Sequence, residues 1–266
     1  MSTTPINPPS LEQRHHFLLR KLHSLSGIVP IGAFLIEHLL TNSMAFGGRE
    51  KFNDAVHSLH NLPYLWALEV FGIFLPLAFH ALYGIRIAMT AEYNVASYPY
   101  MGNRRYSLQR ITGYIAFVFL IVHLLKFRFA HLVGWGPEFI GSSDPFEITR
   151  HGLTAWRPWG LVIPAAVTIT MYVVGLWAAC YHFANGIWSF CISWGITVGE
   201  KAQKRVGMAA AVVGIVLFTW GGLSLYAFVK APEPGREDVR PMIAEQAVQF
   251  SPAMPVVDGG SDGENH

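Results

Sequence analysis

Four histidines lie inside apolar segments long enough to cross a bilayer, and they fall into two look-alike pairs. Phe79-His80-Ala-Leu-Tyr-Gly84-Ile85 matches Tyr181-His182-Phe-Ala-Asn-Gly186-Ile187, and Ile36-Glu-His38-Leu-Leu matches Ile121-Val-His123-Leu-Leu. A histidine at such depth costs free energy unless something binds it. Two imidazoles from facing helices are a ligand set for haem iron. Hydrogen bonding between helices would explain any one of these residues alone, but matched pairs point to two similar sites. A metal bound by side chains only would want them converging at one point, and a proton relay would mix in more carboxylates. Gly84 and Gly186 follow their histidines by one helical turn, where a missing side chain would let a flat macrocycle approach the backbone.

Apolar and aromatic residues make up 52% of the 266 residues against 14% charged, which places the chain among integral membrane proteins. The net charge of +2 gives no footing for nucleic acid. Cys180 and Cys191 face different directions of one helix and read as packing residues rather than a disulfide. Met1 to Leu19 carries no apolar core with a cleavage site, so the first helix is expected to act as its own insertion signal.

Five apolar runs are expected: Leu22–Phe46, kinked at Pro30; Tyr64–Thr90; Ile111–Leu132; Pro158–Val198; and Val206–Val229. The fourth is too long for one span, and a break is expected near Asn185-Gly186, with Trp188 to Trp194 at the interface. Arg104, Arg105 and Arg110 are placed in a turn-rich connection, with turns at Tyr98-Pro99-Tyr100 and Gly102-Asn103. His57 and His60 are assigned to a short surface helix, and residues 134–157 to a structured cap. The organisation is therefore an N-terminal segment 1–19, a five-helix domain 20–230 and a C-terminal tail 231–266.

The nineteen Lys and Arg residues divide ten to nine between the two sides, and the clusters beside helix ends favour a cytoplasmic N-terminus. Measured from that near side, His38 and His123 fall about 24 and 20 Å along their helices, in the far half. His80 and His182 fall in the near half, with His182 about 36 Å from Pro158, longer than the core is thick. Depth thus pairs the same histidines as the local repeats do.

With these residues in hand, the chain resembles the cytochrome b membrane-anchor subunit of succinate dehydrogenase and fumarate reductase, in its single-subunit, five-helix, dihaem form. The stretches that carry the likeness are Arg20-Lys-Leu-His-Ser-Leu-Ser-Gly27, Phe34-Leu-Ile-Glu-His38-Leu, Ala67-Leu-Glu69-Val-Phe, Leu108-Gln-Arg-Ile-Thr-Gly113 and His182-Phe-Ala-Asn-Gly-Ile-Trp-Ser-Phe190. The resemblance implies an all-α membrane protein, four of whose five helices bundle around two haem b groups with His38, His80, His123 and His182 as axial ligands. It also implies two cytoplasmic partners, an FAD flavoprotein and an iron-sulfur protein, with the anchor in the bacterial inner membrane.

Two cysteines cannot hold an iron-sulfur cluster and no dinucleotide fingerprint is present, so succinate chemistry belongs to those partners. This chain's share would be electron transfer to quinone, with menaquinone expected. Glu69 and Glu37 are the candidate proton-handling carboxylates for quinone; interfacial snorkelling and local pairing are their structural alternatives. Cys180 stands where some relatives carry a glutamate, which puts a proton route of that type in doubt. His23, Ser24 and Ser26 resemble a stretch beside a quinone site in ubiquinone-reducing relatives; they would otherwise meet haem propionates with Arg20 and Arg110, or cap the helix. The contrasting possibility is a structural anchor, its haem absent or inert, with quinone bound near the iron-sulfur partner.

Overall fold

The computed structural model describes residues 11–90, 95–98 and 100–231, with side chains from His15 onward. Residues 1–10 of the expected N-terminal segment, Pro99 of the expected turn and residues 232–266 of the expected tail lie outside the described residues. The chain divides into Met1–Val229 and Lys230–His266.

Among the described residues there are ten α-helices: α1 Leu11–Ile28, α2 Pro30–Ser43, α3 Arg49–His60, α4 Leu65–Ala67, α5 Leu75–Met89, α6 Met101–Lys126, α7 Ala130–Val133, α8 Pro145–Thr154, α9 Ala165–Ser193 and α10 Glu200–Lys230, of which α3, α7 and α8 lie between the spans. No strand occurs among the described residues. The spans His15–Gly47, Leu65–Met89, Met101–Lys126, Ala165–Ser193 and Glu200–Lys230 are each long and apolar enough to cross a membrane. Leu75, Leu82, Val118, Val167 and Ile215 expose more than half of their surface, as lipid-facing side chains do.

The kink at Pro30 is present. Proline has no amide hydrogen to continue the ladder, so α1 ends at Ile28 and α2 begins at Pro30, with Val29 bonding Leu25 at 2.9 Å and Ala33 bonding Val29 at 3.1 Å. The second span holds an unforeseen π-helical stretch, Leu68–Phe74, which contains Glu69.

Two expectations are corrected. The third helix starts at Met101 rather than Ile111, so Gly102-Asn103 is no turn and Arg104, Arg105 and Arg110 are helical. Its polar start is held by neighbours: Arg105 donates to Asn185 Oδ1 at 2.9 Å and lies 4.0 Å over the Trp188 ring. The fourth helix runs unbroken through Asn185-Gly186 to Ser193, because Asn185 is buried and its amide also donates to Gln109 Oε1 at 2.8 Å. Irregular backbone lies instead before Ala165, where Pro158, Trp159 and Pro164 keep the chain out of the helix. His182 is then about 26 Å from the helix start, which fits a bilayer core.

α6 and α9 pack most extensively on each other, α1 packs on α5 and α9, and α8 packs on α3 and α9. α10 approaches through small residues: Gly221 meets Leu176 and Leu39, and Gly214 meets Ala184. Cys180 is buried against Leu39 and Leu217, and both cysteines are free, as expected.

On the side away from the start of α1, α3 and α8 form the expected cap. Arg49 pairs with Asp144 at 2.9 Å and Glu147 at 3.0 Å. Asn53 bonds Asp144, His57 contacts the Ser142 carbonyl at 3.0 Å, and Phe52, Phe146 and Phe228 form an aromatic core.

Candidate functional site

The structure brings the four histidines together as two pairs at two levels. His80 of α5 and His182 of α9 stand with ring centres 6.1 Å apart and planes at 88°. His38 of α2 and His123 of α6 stand 5.8 Å apart at 80°. Two imidazoles on opposite sides of one metal, each bonded at about 2 Å, would place their ring centres about 6 Å apart. Among the described residues no group of three or more His, Cys, Asp or Glu side chains is arranged to hold a metal ion. A metal at either pair therefore takes its other ligands from elsewhere, which is what a macrocycle provides.

Three of the rings are oriented through Nδ1. His80 Nδ1 lies 2.9 Å from the His23 carbonyl, His182 Nδ1 3.0 Å from the Gln109 carbonyl and His123 Nδ1 3.3 Å from the Tyr172 hydroxyl. Such second contacts fix the tautomer of a metal-binding histidine and leave Nε2 for the metal. His38 differs: Asn42 Nδ2 donates to its carbonyl at 2.7 Å and sits 3.4 Å from Nε2, too long to compete strongly.

The near pair is held by a repeated device. In α1, Gly27 follows His23 by one turn; in α5, Gly84 follows His80 by one turn. A Cβ on Gly27 would sit 2.5 Å from the His80 ring, and one on Gly84 would sit 2.9 Å from the His23 ring. Each histidine thus occupies the notch over the other helix's glycine, with the two rings stacked 4.1 Å apart. On the other side of the pair, Gln109 and Gly113 of α6 face His182 and Gly186 of α9. A Cβ on Gly113 would meet His182 at 3.1 Å and one on Gly186 would meet Gln109 at 3.8 Å. His23 and Gln109 correspond, down to the carbonyl that each offers to its histidine. Gly84 and Gly186, read from the sequence as room for a macrocycle, face these two side chains. Gly27 and Gly113 were the missed members, although the same His-to-Gly and Gln-to-Gly spacing was there to be found.

Gly27→Ala is expected to force His80 off its notch and to destabilise the protein by about 1–3 kcal/mol, as overpacking does. Gly222→Ala, with nothing within 4 Å of the added Cβ, is expected to leave it unchanged. Thermal unfolding of the two purified variants checks the contrast.

The far pair sits among rings: Phe34 beside His38 at 5.5 Å, Phe119 beside His123 at 5.7 Å, and Phe127 and Tyr172 near His123. Glu69 pairs with Arg128 at 3.0 Å, at the same end as the cap. His60 of α3 is held below the ordinary histidine range chiefly by burial, with the Glu69 carboxylate pulling the other way. Glu37 accepts a hydrogen bond from Thr41 at 2.6 Å.

At the near end, Ser24 accepts from the Trp194 indole at 3.0 Å, and Ser26 donates to the His23 carbonyl at 2.9 Å. Arg110 is buried and lies over the Tyr106 ring at 5.5 Å, whereas Arg20 is exposed. Lys21 donates to the Ser193 carbonyl, tying α1 to the end of α9.

No family model matches the chain. The succinate dehydrogenase cytochrome b558 subunit of Bacillus subtilis (strain 168) is 37% identical to it over 213 residues, covering 80% of this chain and 97% of that protein.

Proposed function

The chain belongs to the family of succinate dehydrogenase cytochrome b subunits, and from that premise we propose that it is a two-haem membrane anchor that passes electrons to quinone. His80 with His182 would hold the near haem, and His38 with His123 the far one. A haem b at each pair supplies one-electron transfer between an iron-sulfur partner on the near side and membrane quinone, with menaquinone expected. The partners are an iron-sulfur protein and an FAD flavoprotein, and the membrane is the bacterial inner membrane with the N-terminus cytoplasmic.

The observation that carries this reading is the similar spacing of the two histidine pairs, 6.1 and 5.8 Å, each close to the separation of imidazoles that share one iron. The chain's own residues do the positioning. The His23 and Gln109 carbonyls and the Tyr172 hydroxyl orient their histidines, the helix glycines set the rings' height, and the apolar walls exclude water. The purified whole complex is expected to give two haems per copy of this chain by pyridine haemochrome. One haem or none would overturn the proposal in favour of a structural anchor.

Glu69, at the far end and paired with Arg128 at 3.0 Å, is the carboxylate we assign to proton delivery for quinone. Glu69→Gln is expected to slow quinone reduction by on the order of a hundredfold. Both haem spectra and dye reduction by succinate should stay intact. Arg128→Met, which breaks the ion pair but keeps the carboxylate, is the control. If its loss equals that of Glu69→Gln, the pair is structural.

A further inference from the structure

Lys126, the last residue of α6, is a buried cation with no acceptor. It is 4% exposed and its ammonium has no hydrogen-bond partner among the described residues. It lies over aromatic faces instead, 4.4 Å from the Trp156 ring centre, 4.8 Å from Tyr172 and 5.7 Å from Phe127. An ammonium carries three donors and buried charges are ordinarily paired. Ring faces attract a cation but accept none of its hydrogen bonds in the usual geometry.

Lys126 is not the only orphan there. The indole N–H groups of Trp156 and Trp135 are also buried and have no hydrogen-bond partner among the described residues, and the two rings meet edge to face at 5.4 Å. The cluster therefore holds donors and lacks an acceptor. The carboxylates at this end of the molecule are otherwise engaged or placed in solvent: Glu69 with Arg128, Asp144 with Arg49, Glu147 with Arg49 and Arg150, Glu37 with Thr41, and Glu50, Asp54 and Glu138 exposed. The missing acceptor is an anion that does not come from these side chains.

Its place in the fold says which anion. Lys126 follows His123 by three residues, on the same helical face and about 4.5 Å further toward the cap. Tyr172, over whose ring the ammonium sits, is the residue whose hydroxyl contacts His123 Nδ1. The donors border the far histidine pair on its outer side.

We propose that Lys126, assisted by the Trp156 indole N–H, binds a propionate carboxylate of the far haem. The proposal deepens the two-haem reading and rests on it. α8 closes the site on the cap side, where a Cβ on Gly152 would stand 3.4 Å from the Lys126 side chain and 3.0 Å from the Phe127 ring.

The test uses the purified whole complex carrying Lys126→Met, Lys126→Arg or Trp156→Phe, read by redox-poised optical spectra and haem content. Loss of the cation leaves the carboxylate uncompensated beside the haem, which disfavours the added electron. Lys126→Met is expected to shift the far component's reduced-to-oxidised ratio at least tenfold toward oxidised at a fixed potential, 59 mV for one electron, or to release that haem. The near component should not move. Lys126→Arg should keep the wild-type value, and Trp156→Phe should shift it in the same direction by less. A far component at its wild-type potential in both Lys126→Met and Trp156→Phe would overturn the assignment, as would equal shifts of both components. Should Lys126→Met fail to assemble, Trp156→Phe decides alone. A wild-type complex with fewer than two haems would instead overturn the reading beneath it, so the two failures are distinct.

Discussion

In the purified complex, His182→Leu is expected to remove one of two spectral components completely and leave the other at full strength. The physical reason is local. His182 is fixed from Nδ1 by the Gln109 carbonyl and packs over Gly113, and neither of these α6 residues is an imidazole. A haem held by His182, as proposed, would lose that bond with no second imidazole offered by α6 at this level. His80→Leu is the less clean variant, because the His23 ring stacks on His80 at 4.1 Å and is close enough to move into its place. A residual near component in His80→Leu that vanishes in the His23→Leu, His80→Leu double variant would reveal that substitution. Spectra in which His182→Leu depletes both components equally, or neither, would sink the pairing of histidines by level.

The second large effect is electrical. Gly113 marks the level of the near pair on α6 and His123 the level of the far pair, ten residues later on an unbroken helix. The two levels are therefore about 15 Å apart, half of a bilayer core of about 30 Å. The stretch between the pairs thus accounts for half of the core. Moving one charge through the whole core is worth about 2.3 kcal/mol per 100 mV, so this stretch is worth about 1 kcal/mol per electron.

With the near side cytoplasmic and negative, the potential drives electrons outward and favours reduction of a low-potential quinone. Protons drawn from the near side with the electrons would cancel the effect. Cys180, where that route would need an acid, is instead buried against Leu39 and Leu217. In proteoliposomes of the complex, succinate:menaquinone turnover is expected to rise severalfold for an inside-negative potential of 100 mV when the cytoplasmic side faces inward. Turnover indifferent to potential would place the quinone site on the near side, or restore the compensating protons.

The five spans and the histidine pairing were legible because both rest on short-range pattern: apolar runs of bilayer length, and one polar residue repeated in the same local setting. The boundaries were less so. Arg104 and Arg105 look like loop residues, yet they extend α6 because Asn185 and Trp188 on α9 receive one of them, a contact no local window contains. Asn185-Gly186 looks like a break for the same reason, and the partners that keep it helical lie about 80 positions earlier. His23 was read as a residue of the helix start, between quinone, propionate and capping roles. Its stack on His80 depends on how α1 meets α5, which spacing alone does not give. Lys126 went unnoticed since a lysine at the end of an apolar run normally snorkels to water, and only the burial of this one sets it apart.

The cap also imposes an order on biogenesis. Arg49 and Asp144 are 95 residues apart in sequence, so α3 must wait across the membrane until α6 has been inserted and α8 has followed it. The aromatic core between them stays open longer still, because Phe228, which packs 5.0 Å from Phe52 and 5.1 Å from Phe146, belongs to the last turn of the last span. A ribosome that stalls within α10 leaves four spans and all four paired histidines in place, but an unsealed socket at the cap end. Closure of that socket thus waits for the last turn of α10, and a chain that lacks it keeps the Phe52 and Phe146 faces uncovered.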